Sequence, residues 1–159
     1  MNLAKTIRLD ISDANIFPNP AEPGEWAVTG TFSFVDIDLG ELTNKEKIAH
    51  KSGWLGLDGF GRSTLVCVTM ITEAEYQLIT RQLAEYLFRQ FGAPDMLVAL
   101  DAARQEIDDM VALCNHPTGS LLAIGREAGE AGIIEQVRKI ENPDGDNHAR
   151  IWDIEPEDT

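Results

Sequence analysis

The chain is poor in cysteine, histidine and basic residues, and each shortage closes off a class of function. Its two cysteines, Cys67 and Cys114, stand far apart in 159 residues, so neither a disulfide framework nor a zinc site built on two close ligand pairs is expected. Reduced thiols in a cytoplasm are the simplest reading. Thirteen Lys and Arg face twenty-seven Asp and Glu, a net charge of −14. A phosphate backbone or an anionic membrane surface is repelled by such a field, and no basic run offsets it. No apolar run approaches the roughly 20 residues that span a bilayer. Met1–Asp10 lacks the apolar core and cleavage-type ending of a secretory signal. The expectation is a cytoplasmic protein with no nucleic-acid partner and no membrane.

What is present points to an ordinary folded domain. The apolar fraction, 43%, is that of globular proteins and argues against disorder. The length suits one domain with a single core, assigned to residues 1–154, followed by an acidic tail at 155–159. Half of the net charge falls in the last fifth of the chain, from Glu127 onward. A basic protein partner fits that asymmetry, and so does solubility alone.

Leu3, Ile7, Leu9 and Ile11 suggest a first strand. Phe17–Gly24 carries three prolines and reads as a rigid connector, although Pro20 and Pro23 also have PxxP spacing. Trp26, Val28, Phe32, Phe34 and Val35 mark a second strand, with Gly30 as a bulge. Thr43–Lys51 stays open between a short helix and an irregular stretch. Thr72 and Glu75 have capping-box spacing, and Tyr76, Ile79, Leu83, Leu87 and Phe91 follow on one helical face. Gly92 caps that helix and Pro94 suits the first turn of another. Met96, Leu100, Ala103, Ile107, Met110 or Val111, and Cys114 would line its buried stripe. Leu121–Gly125 reads as a strand, 133–140 as a strand rather than a helix, 142–147 as a turn and 149–154 as a last strand. The fold class expected is α+β, a largely antiparallel sheet with a central pair of antiparallel helices packed on one face.

The densest signal runs from Ser52 to Ile71, where Gly53, Gly56, Gly59 and Gly61 alternate with Trp54, Leu55, Leu57 and Phe60 ahead of Arg62, Ser63 and Thr64. Such glycine density marks a backbone with a demanding path. The order, glycines before a strand, matches neither a Walker loop nor a dinucleotide fingerprint. A weaker idea survives: Trp54, Phe60, Arg62, Ser63 and Thr64 form a ligand site in which backbone N–H groups and the guanidinium receive a carboxylate or phosphate. The competing explanations are a tight turn whose aromatics plug the core, and an Arg62 held in an internal ion pair, for instance with Asp58.

Other constellations are weaker. Asn142, Asp144, Asp146 and Asp153 imitate EF-hand spacing, but Asn opens the loop, Asn147 replaces its glycine and Arg150 intrudes. Cys114 and His116 would need Cys67 or His50 to hold zinc. Asp101, Glu106, Asp108 and Asp109 read as a solvated helix face, since di-iron chemistry needs Glu-x-x-His on partner helices. Ser63 lies outside a nucleophile elbow, and His50, His116 and His148 have no neighbours that commit them to a triad. No metal and no cofactor are expected.

Phe17–Gly30, Trp54–Leu65 and Ala149–Asp158 together resemble short alphaproteobacterial proteins classified only as a domain of unknown function. The resemblance covers nearly the whole chain and implies a bacterial, cytoplasmic, single-domain protein, with no activity or catalytic residue to carry over. The reading favoured is a non-catalytic accessory or protein-interaction protein, homo-oligomeric or not. The alternative is a small-molecule binder or small enzyme for an anionic metabolite at Gly53–Thr64. A concave pocket with convergent polar groups near Trp54–Thr64 would favour the second, and a flat apolar patch there or on the helices the first.

Overall fold

The computed structural model describes residues 1–8 and 13–141. Strand β1 (Asn2–Ile7) is followed by one turn of helix α1 (Asp13–Ile16), strand β2 (Ala27–Val28), helix α2 (Asn44–Ser52), and strands β3 (Trp54–Gly56), β4 (Arg62–Ser63) and β5 (Leu65–Met70). Helices α3 (Glu73–Gln90) and α4 (Met96–Leu113) come next, then β6 (Leu121–Gly129) and β7 (Gly132–Ile140). Two antiparallel sheets result, one ordered β1-β5-β6-β7 and the other β2-β3-β4. The fold is α+β, as its sequence pattern indicates, with the strands divided between two sheets.

Alternation sets the larger sheet. Ala4 and Thr6 lie opposite Val68 and Val66, and Val66 lies opposite Leu122. These residues, with Ile124, are buried on one face, whereas Lys5, Cys67 and Leu121 on the other are half-exposed. The period of two therefore aims one apolar face at the core. The strand expected at 133–140 is β7, which closes a hairpin on β6 through Gly129 and Gly132.

Helix α3 begins as expected, with Thr72 and Glu75 in a reciprocal capping box, and Gly92 follows its last turn with a left-handed φ of 75°. It buries Tyr76, Ile79, Thr80, Leu83, Ala84 and Leu87, while Phe91 is exposed. Pro94 precedes α4 instead of opening it, because the Asp95 side chain caps the helix by accepting from the Val98 N–H at 2.9 Å. The buried stripe of α4 is Ala99, Ala103, Ile107 and Met110, ending at Cys114. Met96 lies outside it and Leu100 is only half-buried. Small residues at 99 and 103 let α4 approach its neighbours closely, so the stripe is rotated from the one that bulkier side chains indicate. The two helices pack on each other, and α4 also meets β1 and β2.

The open segment at Thr43–Lys51 is helix α2, with a second capping box between Thr43 and Glu46. The second strand is a correction. Only Ala27 and Val28 pair with β3, and Thr31–Phe34 is a 3-10 turn. Gly30 takes a φ of 74°, and a Cβ there would stand 2.5 Å from Leu55 Cβ and 2.6 Å from Arg62 Nη1. The chain bends at the point where it must pass over Arg62. Leu9, Ile11, the turn at 142–147, the strand at 149–154, the EF-hand-like residues and the tail lie outside the described residues.

Candidate functional site

The glycine-rich segment is a hairpin, β3 pairing with β4, and its tip is organised by an internal anion. The Glu25 side chain is buried; its Oε1 accepts from the N–H groups of Asp58 and Gly59 at 3.1 and 3.0 Å, and its Oε2 from the Glu22 N–H at 2.9 Å. A Cβ at position 56 would lie 2.4 Å from Oε1, so glycine is what lets the carboxylate in. Backbone N–H groups that the sequence offers to a ligand are thus filled by the chain itself. The proline connector closes the other side: the Arg62 N–H donates to the Asn19 carbonyl and the Ala21 N–H to the Arg62 carbonyl, both at 2.8 Å.

Beneath the hairpin sit two buried guanidinium groups. Arg62, 9% exposed, donates from Nη1 to the carbonyls of Gly53 at 3.2 Å and Thr29 at 3.4 Å, and from Nη2 to the Gly30 carbonyl at 3.2 Å and to Ser33 Oγ. Arg126, 4% exposed, donates from Nε to Thr31 Oγ1 at 2.7 Å and from Nη1 to the carbonyls of His50 and Ala49 at 3.0 and 3.3 Å. Its Nη2 reaches the Thr29 carbonyl. The Phe34 ring lies against both, 4.6 Å from Arg62 Cζ and 5.2 Å from Arg126 Cζ, and meets the His50 ring edge-on at 5.1 Å. These contacts recruit ring quadrupoles and carbonyl dipoles to the cations.

Among the described residues neither arginine has a carboxylate within salt-bridge distance. Arg126 is linked to Glu135 only through the Thr31 hydroxyl, which donates to that carboxylate. Burial, and then Arg126, pull the Arg62 pKa down to about 9; burial brings Arg126 to about 10, with Glu135 opposing. Both remain cations at neutral pH. Burial also lowers the pKa of His50, helped by Arg126 and then Arg62.

Arg62 opens onto a pocket of about 260 Å³. Phe34, Ile37, Leu42, Phe60 and Tyr86 line it beside the polar Asn19, Ser33 and Glu46, and the rings of Phe60 and Tyr86 stack at 3.9 Å and 3°. Of the residues singled out in the sequence, Phe60 and Arg62 come together here. Trp54 does not: it is fully buried in the core. The Ser63 hydroxyl faces the main chain, 3.0 Å from the Ile7 carbonyl and 2.9 Å from that of Leu65. Thr64 does not line the pocket, and its Oγ1 has no partner among the described residues. The internal ion pair considered for Arg62 is replaced by carbonyls.

Sequence reasoning missed Arg126, Phe34 and Tyr86. A signal existed for Arg126, since Leu122, Ile124 and Arg126 share one face of β6 and the first two are apolar. Phe34 was assigned to a strand. Tyr86 follows the helical face by an offset that sequence alone assigns to its flank.

A family model matches residues 1–152. The chain belongs to DUF6505, a family of unknown function. No curated protein and no solved structure matches it. In this DUF6505 chain the buried arginines act first as braces, since together they tie the segments around residues 29–33, 49–53 and 126. Cys114 is buried and its thiol is pushed up to about 12 by that burial, so it is not a thiolate at neutral pH. Among the described residues no three His, Cys, Asp or Glu side chains gather as a metal set, and no helix is long and apolar enough to cross a membrane.

Proposed function

We propose that this chain is a non-catalytic accessory protein of the bacterial cytoplasm that docks on a partner protein through the tip of its helical hairpin. The observation that carries the reading is the exposure of Phe88, Phe91, Met96, Leu97 and Val98, at 46, 43, 36, 75 and 46%. These five large apolar side chains fall within eleven residues around the α3–α4 turn. Scattered exposed apolar residues are normal, and five of them around one turn favour an interaction surface. Asp95 flanks the group, Asp101 and Asp108 are exposed along α4, and the chain as a whole carries −14. The partner expected is therefore a different protein with an apolar groove and a basic rim, because a second copy would bring like charge. Two free thiols support a reducing compartment.

The test is affinity capture of the tagged protein from its native host beside a Phe88→Asp/Leu97→Asp variant whose melting temperature is unchanged. The wild type should retain a stoichiometric partner that the variant loses. Equal retention by both, or none by the wild type, contradicts the reading. A second reading, binding of a small anionic molecule, is favoured by one observation: the wall of the pocket includes Arg62, a cation with no carboxylate partner among the described residues.

A further inference from the structure

Resting on the second reading, we propose that the pocket over Arg62 binds a small aromatic monocarboxylate, the ring held against Phe34, Phe60 and Tyr86 and the carboxylate against the guanidinium. Three observations converge on that class. The first is charge. Four of the five N–H donors of Arg62 are spent on three carbonyls and the Ser33 hydroxyl, which leaves Nε–H without a partner among the described residues. Carbonyl dipoles satisfy hydrogen bonds but do not neutralise the cation, and Arg126 nearby adds a second positive charge. One anion at the open side of Arg62 gains from both.

The second is size and lining. A cavity of about 150 Å³ accepts benzene, so 260 Å³ suits one ring with a short carboxylate arm and is small for a nucleotide or a cofactor of several rings. Apart from Arg62, the walls include Phe34, Ile37, Leu42, Phe60 and Tyr86 together with the polar Asn19, Ser33 and Glu46; the Glu46 carboxylate, an opposing charge, is engaged by the Thr43 N–H at 2.8 Å. Aromatic and aliphatic walls favour a flat apolar body over a strongly hydrated phosphate.

The third is backbone strain. Phe60 has a φ of 57°, a left-handed conformation that suits glycine and penalises an aromatic residue. Glycine stands on either side, at 59 and 61, yet the one position of the three with positive φ holds the ring that stacks on Tyr86. Strain kept at such a point marks a ligand clamp.

The test is a ¹H–¹⁵N titration at pH 7 with phenylacetate, phenylacetamide and acetate, following the Arg62 Nε–H and the backbone signals of the pocket residues. Phenylacetate should shift them and bind at least about tenfold more tightly than the neutral amide or the ringless acid, a difference of about 1.4 kcal/mol. Arg62 variants risk unfolding because the guanidinium braces the main chain, so the variant is Phe60→Gly. It relieves the left-handed penalty and should remain folded while weakening phenylacetate at least about tenfold. Equal affinity for phenylacetamide, or undiminished binding by a folded Phe60→Gly protein, overturns the proposal. A response to acetate but not to phenylacetate overturns the aromatic class and leaves the anion reading standing. No response to any of them at about 10 mM, where a millimolar ligand would saturate, overturns both.

Discussion

Glu25 shows how a single side chain can take over a site that its sequence offers to a ligand. Its carboxylate accepts from two N–H groups at the hairpin tip and from that of Glu22, and it reaches the tip from a segment more than thirty residues away. Nothing in the local Pro-Gly-Glu-Trp order announces that return, because the pairing depends on where the second sheet folds. Arg62 is legible, as the only cation between Lys51 and Arg81 among glycines; its partners at Thr29, Gly30 and Ser33 are not, since they come from a bend at Gly30. Replacing Glu25 by Ala should remove three part-buried, charge-assisted hydrogen bonds and cost about 1–3 kcal/mol, read as a fall in the urea midpoint with an unchanged m value. A loss below about 0.5 kcal/mol would show that water serves those donors equally well.

Glu106 offers a pH-dependent test at the same scale. Burial, and then the neighbouring Asp109 and Glu135, raise its pKa from 4.5 to about 6. The folded protein therefore binds more protons than the unfolded chain between those values, and stability is lost as pH rises through that window. Above about 6 the ionised, desolvated carboxylate costs about 1–2 kcal/mol after allowance for solvent screening. Glu106→Gln should be more stable than wild type at pH 7.5, with the difference vanishing near pH 4. Melting temperatures across that range decide it; an advantage that grows towards acid would reverse the sign and refute the assignment.

Among the elements, those with strong periodicity and paired caps were read from the chain, and those set by distant contacts were not. Helix α3 combines a capping box with an apolar face, and its burial at Ile79, Leu83 and Leu87 follows. Helix α2 has the same Thr-x-x-Glu signal at Thr43 and Glu46, but its segment is polar and short, with only Ala49 and His50 buried, so periodicity gave no support. The strand expected through Phe34 fails because Phe34 serves two arginines instead of a ladder. Leu83→Ala or Ile107→Ala should each cost about 2–5 kcal/mol by leaving a cavity where both side chains are fully buried. Chemical denaturation measures this, and losses under about 0.5 kcal/mol at both sites would contradict the helix packing.

For the whole molecule, the fold brings together two features that the sequence kept apart. Interior positive charge is held at Arg62 and Arg126 in a chain of net charge −14, and five of the exposed large apolar side chains fall at one end of the helical hairpin. The hairpin was legible, but its exposed tip was not: Phe91 and Met96 fit the apolar periodicity and were assigned to the core, while the structure leaves them at the surface. That exposed tip is the basis for the docking proposal. Site-specific photocrosslinking in the native host tests it most directly, with benzoylphenylalanine at Leu97 and, as an exposed control away from the tip, at Ile134 on β7. The account predicts one dominant adduct from position 97, absent from 134, joined to an apolar, basic-rimmed surface of a different protein. No adduct at 97, the same adducts from both positions, or an adduct between two copies of this chain would contradict it.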